Sequence, residues 1–361
     1  MNYKIIAATV MATIVWNGNT KAQENDDNKK TSYMPNVHGT IRGKYEYQNQ
    51  EKEGRFEVRN ARFSVDGQVA PTVFYKAEID LSDEGSIKML DAYTRLKPIN
   101  DFQFTIGQFR VPFTIDAHRS PAFQYFANRS FIAKQVGNVR DVGAAFGYNI
   151  NAGIAPMMIE AGLFNGSGLT NQKDYWTNSV NFSAKWQIFF PHGFNMTLST
   201  QKIKPNGFNI MMYDAGGYYH AKGWHIEAEY LLKHYDRNAF HDVSAFDGFI
   251  CYDIPFNKKS FFSKISPLAR FDYMDDHSDG TPYENGATAR GGNMTPEVGK
   301  LYVTDGRRNR ITGGVTLSIS KPFIADIRIN YEKYHYSHND YKAYAKASEK
   351  DKFVIEFVTQ F

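Results

Sequence analysis

The C-terminal stretch Asp351 to Phe361 reads DKFVIEFVTQF, and it decides the fold prediction for the whole chain. Apolar residues recur on one face of an extended segment: Phe353, Ile355, Phe357 and Phe361. The residues between them point the other way: Val354, Glu356, Val358 and Gln360. A strand of about ten residues, apolar on one side and ending in an aromatic residue, is typical of the closing strand of an outer-membrane β-barrel. Lipid would contact one face of this strand and the water-filled lumen the other.

Runs with the same two-residue period recur along the chain and predict sixteen strands. Their predicted spans are 36–48, 55–69, 73–82, 87–96, 102–110, 140–150, 155–165, 176–190, 194–203, 209–220, 224–236, 241–255, 265–273, 308–320, 322–336 and 352–361. Many of these runs reach eleven residues or more, whereas strands of soluble proteins have about five or six. A soluble β-sandwich would also alternate, but its strands would be shorter. The sequence therefore predicts an all-β fold, a transmembrane antiparallel β-barrel of about sixteen strands.

The connections support the same prediction. Those after even-numbered strands are mostly tight turns, with 256–264 as the exception. Four connections after odd-numbered strands are long: 111–139, 166–175, 274–307 and 337–351. Tight turns on one rim and long loops on the other are the outer-membrane arrangement. The connection at 274–307 is rich in Asp, Gly, Asn and Thr, and we expect it to be an exposed loop.

Residues 1–22 have the pattern of a secretory signal peptide. Lys4 precedes an apolar run from Ile5 to Val15, and Ala22 precedes a plausible cleavage site. The apolar run is too short to span a bilayer, for which about twenty residues are needed. A buried N-terminal helix is the alternative, but the polar residues from Glu24 to Ser32 do not continue any amphipathic pattern. The predicted organisation is a signal peptide at 1–22, a polar periplasmic leader at 23–35 and a barrel domain at 36–361.

The composition favours the outer membrane of a Gram-negative bacterium. The chain has 23 Tyr and 28 Phe, more than an ordinary core uses, and aromatic girdles at the two membrane interfaces would account for them. Cys251 is the single cysteine, so an exported chain of this length has no intrachain disulfide. We expect Cys251 to be a small packed residue. The expected surroundings are outer-membrane lipid and lipopolysaccharide, with no nucleic-acid partner.

Four stretches in the first part of the chain carry a family resemblance. They are VRNARFSVDG (58–67), KMLDAYTR (88–95), IGQFRVPF (106–113) and RDVGAAFG (140–147). In this order and spacing they resemble the phosphate-selective porin O and P family of outer-membrane channels. The resemblance implies a sixteen-stranded homotrimeric porin whose third long loop folds into the lumen, where arginines draw anions through. The matched positions, such as Asp91, Gly107 and Asp141, are mostly architectural, and the family's anion-binding arginines cannot be aligned individually.

The residues themselves point to the same loop. The segment from Arg110 to Arg140 contains the loop after the fifth predicted strand, which is the third loop on the long-loop rim and is called the third long loop below. Asp116 is its only acid. Its cations are Arg110, Arg119, Arg129, Lys134 and Arg140. This net charge of four is high for a chain that, after loss of Lys4 and Lys21, has 40 basic and 38 acidic residues. The guanidinium group gives oxyanions two parallel hydrogen bonds, and cations in a confined lumen concentrate anions.

The predicted role of this loop is therefore an anion-attracting constriction. Five aromatic residues could pack it against the wall while the guanidiniums face water: Phe113, Phe123, Tyr125, Phe126 and Phe131. Two alternatives remain open. The loop could be exposed and bind lipopolysaccharide, or Arg110 and Arg140 could be wall residues paired with Asp116 or Asp141.

Further cations fall in phase with the polar faces of predicted strands and should line the pore wall: Arg42, Lys44, Arg62, Arg95, Arg310 and Arg328. Acids such as Asp80, Asp91 and Glu332 share these faces, so we expect many mutual ion pairs and only a mild preference for anions. The histidines show no zinc spacing, and no catalytic or cofactor motif is present. We expect no cofactor and no metal.

The predicted function is passive diffusion of small hydrophilic solutes, above all anions such as phosphate, and not enzymatic catalysis. One alternative is a plugged structural or adhesin barrel whose third long loop closes the lumen. Another is a barrel hydrolase, for which we find no Ser and His pair at neighbouring positions.

Overall fold

The computed structural model describes residues 33–83, 85–135, 139–151, 153–169, 172, 174–257, 259–284, 296–319 and 324–361. Sixteen strands make the wall: β1 (Asn36–Gln48), β2 (Glu53–Ala70), β3 (Val73–Asp83), β4 (Ser86–Ile99), β5 (Phe102–Arg110), β6 (Arg140–Ile150), β7 (Met157–Phe164), β8 (Asn181–Phe189), β9 (Phe194–Ile203), β10 (Ile210–Ala221), β11 (Trp224–Tyr235), β12 (Val243–Tyr252), β13 (Lys264–Met274), β14 (Arg308–Ile319), β15 (Ile324–Tyr336) and β16 (Lys352–Gln360). Ile254–Pro255 extends β12 by a further pairing with β13. Two short helices lie in loops, α1 (Phe131–Gln135) and α2 (Asn339–Tyr344).

The sheet closes on itself. Each strand pairs antiparallel with its neighbours along the chain, and β1 pairs with both β2 and β16. The closing ladder runs from Thr40 opposite Gln360 to Gln48 opposite Lys352. Closure leaves no unpaired strand edge, which a bilayer would not tolerate. The prediction of a sixteen-stranded antiparallel barrel is confirmed.

The two faces of the wall have opposite character. In β16 the side chains of Lys352, Val354 and Glu356 are buried in the barrel. Phe357, the next residue along the strand, is 57% exposed. Elsewhere on the outer face, Phe56 is 86% exposed. Charged residues inside and apolar residues outside are the reverse of a soluble sandwich, so the outer surface is suited to hydrocarbon.

The strand limits follow the predicted spans closely, with one clear difference. The segment 176–190 was expected to be a strand, but β8 begins only at Asn181. Before it, the N–H of Ser179 bonds to Thr177 Oγ1 at 3.0 Å, and this local bond competes with ladder pairing. The predicted signal peptide and residues 23–32 of the predicted leader lie outside the described residues.

Gly107, in the IGQF stretch, has a specific reason to be glycine. Its φ is +129°, and an added Cβ would lie 2.3 Å from the carbonyl oxygen of Ala92 in β4. Any other residue would push β5 away from β4.

The loop between β13 and β14 is not wholly exposed, which corrects the expectation for 274–307. Its described base packs inside the barrel mouth, where His277 pairs with Asp305 in an isolated bridge. The carbonyl oxygen of the buried Ser278 accepts hydrogen bonds from Lys233 Nζ and the Tyr235 hydroxyl of β11. None of the helices in the described part of the chain is long and apolar enough to cross a membrane.

Candidate pore and its inward-folded loop

The third long loop enters the barrel directly after β5. We call its described part, residues 111–135, the inner loop. Its first turn is bonded to β8 and β9: Ser183 Oγ donates to the carbonyl of Pro112 at 2.7 Å, and Lys185 Nζ donates to that of Thr114 at 2.6 Å. The N–H of Thr114 in turn donates to Ser199 Oγ at 3.1 Å. These bonds hold Thr114 at a φ of +58°, a costly conformation for a β-branched residue.

The middle of the inner loop meets the acidic wall of β11. The N–H of Ile115 donates to the carboxylate of Glu229. Arg119 bridges Asp116, at 3.0 Å, and the carboxylate of Glu227. Asp116 also accepts two hydrogen bonds from Ser130, one from the Ser130 N–H at 3.0 Å and one from the Ser130 hydroxyl at 3.1 Å. It therefore links the two halves of the loop.

The far end of the inner loop is held by four wall arginines, each of which donates to a loop carbonyl. Arg328 reaches Ala122 at 2.9 Å, Arg42 reaches Ala127 at 2.8 Å, Arg270 reaches Asn128 at 3.0 Å and Arg310 reaches Arg129 at 2.8 Å. Each of the four arginines is paired with one of two buried acids. Glu356 pairs with Arg42 at 2.6 Å and Arg328 at 3.0 Å, and Asp272 pairs with Arg270 at 2.9 Å and Arg310 at 2.8 Å. The planar guanidinium has several N–H donors, so one arginine can bond to a carboxylate and to a loop carbonyl at the same time.

Aromatic residues pack the loop as expected, but the guanidiniums do not face water. The ring of Phe126 lies 4.3 Å from the guanidinium of Arg270. The ring of Phe131 lies 4.7 Å from those of Arg308 and Arg310. These are cation–π contacts with wall residues. The expectation that the loop arginines point into solvent is wrong for Arg119 and Arg129, because both are bonded within the protein.

The five predicted loop cations have different surroundings. Arg119 is neutralised by two acids, and Arg129 donates to the carbonyls of Asp116 and Arg119. Arg140 pairs with Asp91 at 2.7 Å and Glu78 at 3.2 Å, so the pairing with Asp116 or Asp141 that we considered is wrong. Lys134 is exposed, at the end of α1. Arg110 donates to the carbonyl of His118.

Most of the predicted wall cations are also paired. Besides Arg42, Arg310 and Arg328, described above, Lys44 lies 2.8 Å from Glu46, and Arg62 lies 2.9 Å from Asp80. Arg95 differs, because its Nε donates to the hydroxyl of Thr105 at 2.9 Å.

A cavity of about 500 Å³ lies between the inner loop and the wall. Its lining cations are Lys76, Arg95, Arg110, Arg119, Lys185 and Lys264. Its lining acids are Glu78, Asp91, Glu160, Glu227, Asp253 and Asp326. Within the described part of the chain, three of these cations have no carboxylate within 4.0 Å, namely Arg95, Arg110 and Lys185. By the same measure Glu160 is the one lining acid without a cation, and it lies opposite Lys185 in the β7–β8 ladder. The six lining cations and six lining acids are equal in number, so the cavity has no net formal charge from these groups.

Lys185 was missed as a site residue by the sequence analysis. It alternates with the apolar residues of β8, in phase with Ser183 and Gln187, and that phase was the available signal. Cys251 is buried against Phe126, Phe249 and Leu268, as expected of a packed residue. His225 bonds to Asp253 and to the hydroxyl of Tyr125. The described residues contain no group of three or more His, Cys, Asp or Glu side chains placed to hold a metal.

Comparison with known proteins agrees with this architecture. The model of the family "phosphate-selective porin O and P" matches residues 35–187, which include all four motif stretches. The chain is similar to this family from the start of β1 into β8, the first half of the barrel. The family resemblance is confirmed over the matched segment, and no curated protein sequence matches the chain.

Solved bacterial proteins, two of them described as outer-membrane proteins, share the fold at low sequence identity. OmpF of Salmonella typhi, in complex with daunomycin, superposes with a TM-score of 0.59 at 15% identity, over 91% of this chain and 97% of that one. OmpT of Vibrio cholerae gives 0.56 at 12%, over 92% and 99%. The outer-membrane channel DcaP of Acinetobacter baumannii gives 0.54 at 12%, over 91% and 97%.

Proposed function

We propose that this barrel is a passive channel for small hydrophilic solutes with a mild preference for anions, phosphate and similar oxyanions among them, and that it is not an enzyme. The observation that supports this proposal is the unpaired charge of the cavity. Among the described residues, Arg95, Arg110 and Lys185 have no carboxylate within 4.0 Å, and Glu160 is the one lining acid without a cation. The lining cations and acids are equal in number, but in a confined, low-dielectric lumen cations without an ion-pair partner attract anions more strongly than paired ones do.

The preference is mild because most lining charges cancel. Lys76 lies between Glu78 and Asp91, at 3.0 and 3.4 Å, and Lys264 lies 2.6 Å from Asp253. Paired charges act on a passing ion as dipoles, whose fields fall off faster than those of free charges. A strictly phosphate-selective pore would need more unpaired cations than this cavity offers.

We also propose a homotrimer embedded in outer-membrane lipid and lipopolysaccharide. In-vitro folded OmpT of Vibrio cholerae is described in a trimer form, and its fold is similar to that of this chain at 12% identity. Chemical cross-linking of the protein in native membranes tests the subunit number.

The reversal potential in planar bilayers under a KCl gradient tests the anion preference. The unmodified protein should pass chloride more readily than potassium. The double variant R95Q/R110Q should shift the reversal potential toward zero, because it removes two of the three unpaired cations. R55Q is the matched control, since Arg55 is 53% exposed and paired with Glu46 at 2.6 Å. A cation-preferring unmodified protein, or equal shifts in both variants, would contradict the proposal.

A plugged barrel is the second candidate, because the inner loop is bonded to wall strands on both of its sides. Those strands include β8, β9, β11, β13, β14, β15 and β1. Single-channel recording distinguishes the two candidates, since a closed barrel gives no conductance steps.

A further inference from the structure

The cavity between the inner loop and the wall has two chemically different sides. One side is cationic. Arg95 of β4 uses its Nε on Thr105 and Arg110 of β5 uses one Nη on the carbonyl of His118, while Lys185 of β8 donates to Thr114. No other hydrogen bond from these three side chains to a described residue exists, so N–H groups of both guanidiniums remain available to a ligand. Two such groups on one guanidinium match the geometry of a carboxylate or phosphate.

The other side of the cavity is aromatic. It is built by Phe123 and Tyr125 of the inner loop, Tyr218 of β10 and Phe249 of β12. The rings of Tyr125 and Phe249 are 4.7 Å apart, and the guanidinium of Arg119 lies 5.0 Å from the Tyr125 ring. Because the hydroxyl of Tyr125 is bonded to His225 at 3.0 Å, this ring is fixed in place before any solute arrives.

Tyr218 supplies a further group that the protein leaves unused. Its hydroxyl is shielded from solvent and has no hydrogen-bond partner among the described residues, although the ring lines the cavity. A shielded hydroxyl without a partner is costly unless a ligand or water pairs with it. Because the hydroxyl has almost no accessible surface, a solute in the cavity would contact the ring of Tyr218 and not its hydroxyl.

Inorganic phosphate would use only the cationic side. An aromatic carboxylate would use both, with its charged end on Arg95 or Arg110 and its ring against Tyr218 or Phe123. A volume of about 500 Å³ lies within the range of pockets that hold small organic ligands. We propose that the preferred solutes of this channel are organic anions with an aromatic or other apolar body. This inference rests on the proposed function and specifies its substrate class.

The test is block of chloride current through single channels of the full-length protein in planar bilayers, with benzoate, acetate and inorganic phosphate as probes. Benzoate and acetate carry the same charge, so a difference between them reports the ring. We expect benzoate to block at a concentration about tenfold lower than acetate or phosphate, the size of effect that a few ring contacts give.

Substitutions on each side of the cavity test which residues contact the solute. Y218A should raise the half-blocking concentration of benzoate about three- to tenfold and leave that of acetate unchanged, while Y218F keeps the ring and should change benzoate block less. R95Q/R110Q should weaken block by benzoate and acetate alike. W176A is the control for loss of an aromatic residue, because Trp176 is 92% exposed before β8. If Y218A does not fold, F123L tests the same side.

The outcomes separate this inference from the proposed function. Equal block by benzoate and acetate in a pore that still prefers chloride would overturn the inference and leave the anion channel standing. Benzoate block that is unchanged in both Y218A and F123L would also overturn it. A barrel without conductance steps, or one that prefers potassium, would overturn the proposed function itself.

Discussion

At the scale of single residues, the inner wall is organised by the need to pair buried charges. Arg140 is buried, with its guanidinium on Asp91 at 2.7 Å and on Glu78 at 3.2 Å. The same two acids also meet Lys76 and Arg62. A buried charge without a partner is far more costly than a paired one. Through this network the KMLDAYTR stretch, which supplies Asp91, is bonded to the RDVGAAFG stretch, which supplies Arg140.

The network gives a stability prediction. R140M should lower the free energy of unfolding by about 3 kcal/mol, the lower end for breaking a buried pair, because Lys76 and Arg62 still face the two acids. R140K keeps the charge and should cost less. Denaturant titration of the protein in lipid vesicles measures both. R55Q removes a half-exposed arginine from Glu46, which keeps Lys44 at 2.8 Å and Lys352 at 2.9 Å, and should cost less than about 1 kcal/mol. Equal losses in R140M and R55Q would show that the network contributes nothing to stability.

At the scale of elements, the inner loop is fixed to the barrel wall by hydrogen bonds. Four wall arginines donate to its carbonyls, and Asp116 links its two halves through Ser130. Such a loop should narrow the lumen without moving much, since each charged hydrogen bond is worth about 1.5–3 kcal/mol.

A variant that loosens the inner loop without changing the net charge tests whether this loop narrows the lumen. R328M/E356Q removes one positive and one negative charge together, along with the hydrogen bonds of Arg328 to the inner loop, and leaves Arg42 with the amide of Gln at 356 as acceptor. We expect noisier and larger single-channel currents with an unchanged reversal potential. R62M/D80N is the matched control, because Arg62 and Asp80 pair at 2.9 Å on the wall with no hydrogen bond to the inner loop. Identical recordings from the two variants would mean that the loop does not limit the current.

The strands were predictable from sequence, but the ion pairs and hydrogen bonds of the loop arginines were not. A two-residue period reports burial on one face directly, so most strand limits agree within a few residues. Ion pairing depends instead on which distant strands become neighbours. Arg42 and Glu356 are 314 positions apart and meet only because β1 closes on β16. The ion pair of Arg119 could not be predicted from sequence either, because its partner Glu227 lies on β11, far away in the chain.

At the scale of the whole molecule, the barrel separates two solvents. Charged side chains are buried in the lumen, and large apolar ones are exposed on the outer face, as with Phe56 and Phe357. The arrangement is stable only if hydrocarbon covers that face, because water would leave a contiguous apolar belt unfavourably hydrated. The protein should therefore need detergent or lipid to remain monodisperse.

A charge placed on the outer belt tests this separation. Phe357 lies within β16, opposite Gly43 of β1 and Ile327 of β15. F357R should lower the free energy of unfolding in vesicles by about 2–4 kcal/mol, the cost of an arginine near the bilayer midplane, as measured by denaturant titration. W176R adds the same charge at a position outside the strands and should change stability by less than about 0.5 kcal/mol. If both variants folded equally well, the face that carries Phe357 would not lie in hydrocarbon, and the assignment of the outer wall would fail.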